Sequence, residues 1–142
     1  MGARRTARER ALQALYQLEM TPGSTTAALE AAWEAANAED GGKTDPEAKR
    51  FAQELVDGVW KNLRTIDDLL QEHSHNWRLD RMSRIDRNVL RIATFELKYR
   101  PDIPRKVSIN EAVELGKRFG TEESSAFING LLDRVAVALG KA

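Results

Sequence analysis

Arginines and one phenol ring near the start of this chain are placed to act together. On a helix turning about 100° per residue, Arg5 and Arg8 fall on one sector with Leu12 and Tyr16, Arg4 lies just before them, and Arg10 lies nearly opposite. That sector adjoins an apolar stripe of Ala7, Ala11, Ala14, Leu15 and Leu18. Guanidinium groups bind phosphates and base edges, and a flat ring accepts a stacked base, so the arrangement suits single-stranded RNA. The same residues would also make a solvated helix start with Tyr16 in the core.

A second group lies near the other end: the acidic turn Glu122-Glu123, then Phe127 at the margin of an apolar face. Phe127 is either a peripheral core ring or a nucleic-acid contact. Asn129-Gly130 follows, and Asn-Gly is a strong hairpin signal. Here Ile128, Leu131, Leu132 and Val135 keep helical spacing around it, which puts the pair inside a helix. Glycine there costs about 1 kcal/mol relative to alanine, so a neighbouring helix or a partner is expected close to its backbone.

A third candidate is the polar arc of a helix over 84–99, holding Arg84, Arg87, Arg91, Thr94 and Lys98. Such a row could track a phosphate backbone, but no aromatic interleaves it, which favours a plain solvent face. Glu96 points the other way, among Val89, Ile92 and Tyr99. An unpaired carboxylate there would be costly, so it is expected to accept hydrogen bonds from backbone N–H groups near Ser108, in a structural role.

Catalytic constellations are missing. The chain has no cysteine, which removes disulfides, thiolate metal sites and a cysteine nucleophile. His73 and His75 have no acidic partners at metal spacing and read as surface or capping residues. There is no phosphate loop and no nucleophile elbow. The expectation is no enzyme activity, no cofactor and no metal.

The elements that must carry these residues are all helical, because no segment alternates apolar and polar positions as a strand would. Breaks are expected at Thr21-Pro22-Gly23-Ser24, at Glu39-Asp40-Gly41-Gly42-Lys43-Thr44 and at Arg100-Pro101-Asp102-Ile103-Pro104. Between them the periodicity predicts helices over 4–20, 25–38, 46–73, 76–81, 84–99, 108–119 and 122–139. Asp45-Pro46 is an N-cap with proline at the first helical position. Ser108 with Glu111 reads as a capping box, and Gly120 as a left-handed helix end. The helix over 46–73 carries Ala52, Leu55, Val59, Leu63, Ile66 and Leu70 on one stripe and would span roughly 40 Å. The helix over 84–99 is apolar around most of its circumference and should be the most buried.

With 142 residues the chain is expected to form one domain, 1–142. The basic start has no apolar run behind it, and no stretch approaches bilayer length, so the chain reads as soluble, away from membranes and compatible with the cytoplasm. Formal charge is zero overall but uneven: +2 over 1–20, −6 over 21–75, +5 over 76–106 and −1 over 107–142. Such a chain can offer a positive surface to nucleic acid and an acidic one elsewhere.

These residues together resemble the NusB family of transcription antitermination factors. The likeness is carried by Val89-Leu90-Arg91-Ile92-Ala93 with Glu96-Leu97, Ile103-Pro104, Ser108-Ile109-Asn110-Glu111-Ala112, Phe119-Gly120, Phe127-Ile128-Asn129-Gly130 and Leu132-Asp133. The opening Ala3-Arg4-Arg5, Ala7-Arg8-Glu9 and Gln13-Ala14-Leu15-Tyr16 is similar to the family's arginine-rich first helix, with Thr6 interrupting the run. The resemblance implies an all-α fold of about seven helices, as two small bundles around a long central helix. It implies binding of boxA RNA in nascent ribosomal RNA leader transcripts, together with the small-subunit ribosomal protein that doubles as NusE. It also implies joining the RNA polymerase elongation complex with other Nus factors. Carried onto this sequence, Arg4, Arg5, Arg8 and Tyr16 would bind RNA, Asp86 would contact the ribosomal protein, and Glu123 and Phe127 would lie in the RNA and partner region. A homodimer masking the basic face is compatible with the sequence. Competing readings are a helical protein–protein adaptor and a NusB-like recruiting module of rRNA modification machinery. The second is disfavoured because no catalytic domain follows Ala142.

Overall fold

Asp45 opens a helix as its side chain requires: its Oδ1 accepts the Glu47 N–H at 2.8 Å, ahead of Pro46. Ser83 does the same further on, its hydroxyl accepting the Asp86 N–H at 3.1 Å. The structure, a computed structural model, describes residues 2–40 and 44–141. Among these are seven α-helices and no strand: α1 (Ala3–Met20), α2 (Thr25–Asp40), α3 (Pro46–Lys61), α4 (Leu63–His73), α5 (Arg84–Tyr99), α6 (Arg105–Phe119) and α7 (Ser124–Ala138). A single 3-10 turn, Leu79–Arg81, precedes α5. None of the described helices is long and apolar enough to cross a membrane.

The contacts gather into two compact units, Met1–Lys61 and Asn62–Ala142, in keeping with the expected pair of small bundles. In the first unit α1 packs on α2 and α3, and α2 on α3. Ala7, Ala11, Ala14, Leu15 and Leu18 of α1 are buried there, with Phe51, Leu55 and Val59 of α3. In the second unit α5 is the core element, packed by α4, α6 and α7. Ten consecutive residues, Asn88 to Leu97, are buried, so α5 is enclosed around its whole circumference.

Several local expectations change. The helix over 46–73 is two helices, since Asn62 leaves helical geometry at φ −108° and ψ 22°. One turn residue hardly disturbs the apolar period, so Val59 and Ile66 are both buried on either side of it. The helix expected over 76–81 shrinks to the 3-10 turn. α6 starts three residues earlier than 108, after Pro104, which removes Ser108 from the cap. Ser108 instead donates its hydroxyl to Glu96 Oε1 at 2.8 Å, in a site where Glu96 is 1% exposed. One partner of the buried Glu96 carboxylate is thus the Ser108 side-chain hydroxyl, from the helix near which its donors were expected. Gly120 is extended, at φ −97° and ψ −160°, and not left-handed. Its reason is close approach: an added Cβ would sit 2.8 Å from both Gly116 O and Ser124 Cβ. The expected break at Gly41-Gly42-Lys43 lies outside the described residues.

Candidate nucleic-acid and partner interface

The basic residues of α1 divide between surface and interior. Arg5 is exposed, and Tyr16 is 41% exposed. They lie eleven residues apart on nearly the same side of α1, roughly 16 Å along its axis. Arg4 is also exposed, with its guanidinium 4.9 Å from the Phe51 ring centre. Arg8 departs from the expected accessible ridge. It is 3% exposed and its guanidinium stacks 5.3 Å from the same ring. A delocalised, weakly hydrated cation with a planar head tolerates burial against an aromatic face. Arg10 turns to the other flank, 6.0 Å from the Trp33 ring and 3.2 Å from the Glu9 carboxylate. The accessible ridge therefore consists of Arg5 and Tyr16, with Arg4 at its margin.

The basic row of α5 is neither a phosphate track nor a solvent face. Arg91 is buried and makes two 2.8 Å bonds to the Asp67 carboxylate, with a third at 3.0 Å to Asn88 Oδ1. Arg87 donates to the Leu79 and Met82 carbonyls, at 3.2 and 3.4 Å, and so ties the 3-10 turn to α5. Thr94 is fully buried. Arg84 and Lys98 stay exposed, but at opposite ends of the helix.

The second unit builds a cleft of about 330 Å³ where the starts of α5 and α7 meet. Ser83 caps α5 and thereby places Asp86 in its first turn, and both line the cleft. Glu123 stands at the N-cap of α7, exposed, and Phe127 is half-buried one turn on; these also line it. The acidic turn is held by Ser124, whose buried hydroxyl accepts the Thr121 N–H at 2.9 Å. Close packing of α6 against α7 fixes the approach, since a Cβ on Gly116 would fall 2.7 Å from Ile128 Cδ1. The structure thus brings Asp86, Glu123 and Phe127 together in one cleft. Asp86 Oδ1 is buried there and, among the described residues, has no hydrogen-bond partner.

A further wall comes from a residue that none of the sequence motifs marked. Trp77 lines the same cleft and is 62% exposed. A tryptophan in a polar turn, outside any apolar period, was the signal available. Gly130 lies inside α7 as expected, but the expected close neighbour is absent from the described residues. An added Cβ would meet only Arg134 Nη1, at 3.8 Å. His73 ends α4, and its carbonyl accepts Arg134 Nε at 3.0 Å. Among the described residues no three His, Asp or Glu side chains are grouped to hold a metal.

A model of the NusB family matches residues 5–137. The transcription antitermination protein NusB of Myxococcus xanthus is 74% identical over 141 residues, covering 99% of each chain. T. maritima NusB superposes with a TM-score of 0.83 at 41% identity, over 94% of this chain and 90% of its own. A solved complex of antitermination factors NusB and NusE with dsRNA shares the fold, with a TM-score of 0.82 at 24% identity and coverage of 96% and 97%.

Proposed function

This chain belongs to the NusB family of transcription antitermination factors, RNA-binding proteins without enzymatic activity, and from that premise we propose that it binds boxA RNA of nascent rRNA leader transcripts jointly with the small-subunit ribosomal protein in the NusE role. The pair would act within the RNA polymerase elongation complex, in the cytoplasm, with other Nus factors. The observation that carries the reading is the exposure of Arg5 and Tyr16 on one side of α1 while Arg8 and Arg10 are engaged with Phe51 and Trp33. Two side chains on one flank of the helix thus reach the surface, one suited to hold a phosphate and one to stack on a base.

Arg4 and Arg5 hold phosphates in this reading, and Tyr16 stacks on an unpaired base. Arg8 takes a different part from the one its sequence position suggested: stacked on Phe51 beside Arg4, it positions the basic end of α1. Asp86 and Glu123 face the ribosomal protein, whose basic surface complements them, and Phe127 offers a ring to RNA beside that contact. Phosphate contacts give affinity and salt dependence, while edge and stacking contacts to unpaired bases give selectivity. The test is anisotropy binding of a boxA strand and a scrambled strand, each with and without the ribosomal protein. The proposal expects tighter boxA binding, widened further by the partner. Equal affinity for both strands in both conditions would support a helical adaptor instead.

A further inference from the structure

We propose that Phe51 of α3 is a positioning residue for RNA: its ring orders the Arg4 guanidinium before a phosphate arrives, and so sets affinity without touching the strand. The inference rests on the RNA reading of α1 above and adds to it a residue that the first helix does not carry. α3 packs on α1, and Phe51 is buried between them. Two guanidinium groups, one helical turn apart on α1, lie over that single ring, Arg4 at 4.9 Å and Arg8 at 5.3 Å from its centre. Their exposure differs: Arg8 is buried, and Arg4 faces solvent. The ring therefore holds one cation inside the fold and one at its surface.

A plain core ring has no need of this company. An aliphatic neighbour or one arginine stem covers apolar surface equally well, whereas two like charges gathered on one ring repel each other. The start of α1 adds to that cost. Its first turn holds no acidic residue and Gly2 supplies no side-chain cap, yet Arg4 and Arg5 stand there, at the positive end of the helix dipole. A phosphate placed beside them offsets both the repulsion and the dipole, a balance that packing alone does not provide. Stacking engages the flat face of a guanidinium and not its N–H edge, so a stacked arginine can still fork onto a phosphate. An arginine loose in water must be ordered as it binds, and the ring has met that cost in the free protein.

The experiment is anisotropy of a labelled boxA strand and a scrambled strand, across salt, with the full chain and the ribosomal protein. The variants are Phe51→Leu, Phe51→Tyr, Arg4→Ala and the Arg4→Ala/Phe51→Leu pair, each with a thermal melt. Phe51→Leu should lower affinity about two- to tenfold on both strands, because a phosphate contact carries no sequence. The slope of log affinity against log salt should hold, because no charge is removed. Phe51→Tyr should bind as wild type does. In the Arg4→Ala background Phe51→Leu should cost nothing further, a coupling that a merely weakened fold would not produce. Should Phe51→Leu melt below the assay temperature, Arg4→Lys takes its place: the charge stays, the stacked plane goes, and affinity should fall at unchanged slope. Wild-type affinity in Phe51→Leu or in Arg4→Lys, or an equal Phe51→Leu loss with and without Arg4, overturns the inference. Equal wild-type affinity for the two strands would remove the boxA reading and, with the Phe51→Leu loss present on both, uphold the part given to the ring.

Discussion

Replacing Arg5 and Arg8 one at a time by alanine should give opposite signatures, because one cation faces water and the other faces a ring. Arg5 is exposed, whereas Arg8 is 3% exposed with its guanidinium 5.3 Å from the Phe51 centre. Arg5→Ala removes a phosphate contact, so the slope of log affinity against log salt should become shallower by about 0.7 for a single strand. At low salt the loss is about 1 kcal/mol, roughly fivefold in affinity. Melting should not move, since an exposed side chain on a helix contributes little to folding. Arg8→Ala instead loses a desolvated cation–π contact of about 2 kcal/mol and the packing of its methylenes. Melting should fall by roughly 5–10 °C for a chain of this length, with the salt slope unchanged. The assay is anisotropy of a labelled boxA strand with the ribosomal partner, between roughly 50 and 200 mM salt, beside thermal melts of each variant. If Arg8→Ala flattens the slope as much as Arg5→Ala and melts like wild type, Arg8 is a phosphate ligand and the division of labour on α1 is wrong.

Asp67→Ala strands a buried guanidinium and should cost about 3 kcal/mol, at the low end for buried pairs because Asn88 still holds Arg91. Urea unfolding should show the Asp67→Leu/Arg91→Met double variant recovering most of that loss; a double variant as unstable as the single would contradict it. Two of the helix glycines, Gly116 and Gly130, should respond in opposite directions to alanine. Gly116→Ala drives a Cβ to 2.7 Å from Ile128 Cδ1 and should destabilise by about 1–3 kcal/mol. Gly130→Ala makes only an ordinary contact, 3.8 Å from Arg134 Nη1, and should stabilise by about 0.5–1 kcal/mol. The same denaturation curves decide both, and an unstable Gly130→Ala would show that its backbone freedom is used within the fold.

Much of the architecture was legible because apolar spacing and capping chemistry are local. The helix expected over 84–99 matches α5 end to end, and Asp45-Pro46 marked the start of α3. The errors have a common cause. Ser108 carried a capping signature, yet its hydroxyl was taken by Glu96, twelve residues away in sequence. Gly120 read as a left-handed end, yet it is glycine because Ser124 returns against it. Arg91 looked solvent-facing by helical angle, and Asp67 from another helix claimed it.

What the chain determined by itself was periodic and local: which residues share a helix face, and where a capped helix such as α3 begins. Helical angle alone placed Arg5 and Tyr16 on one flank, and both remain exposed. What only the folded molecule decided was which polar groups stay available. Arg8 and Arg91 are withdrawn by Phe51 and Asp67, while Trp77 is left in water at the cleft that Asp86 also lines. The reason is that a cation or a ring is committed by whichever partner first meets its desolvation cost. Those partners arrive from other helices, beyond the reach of any local pattern.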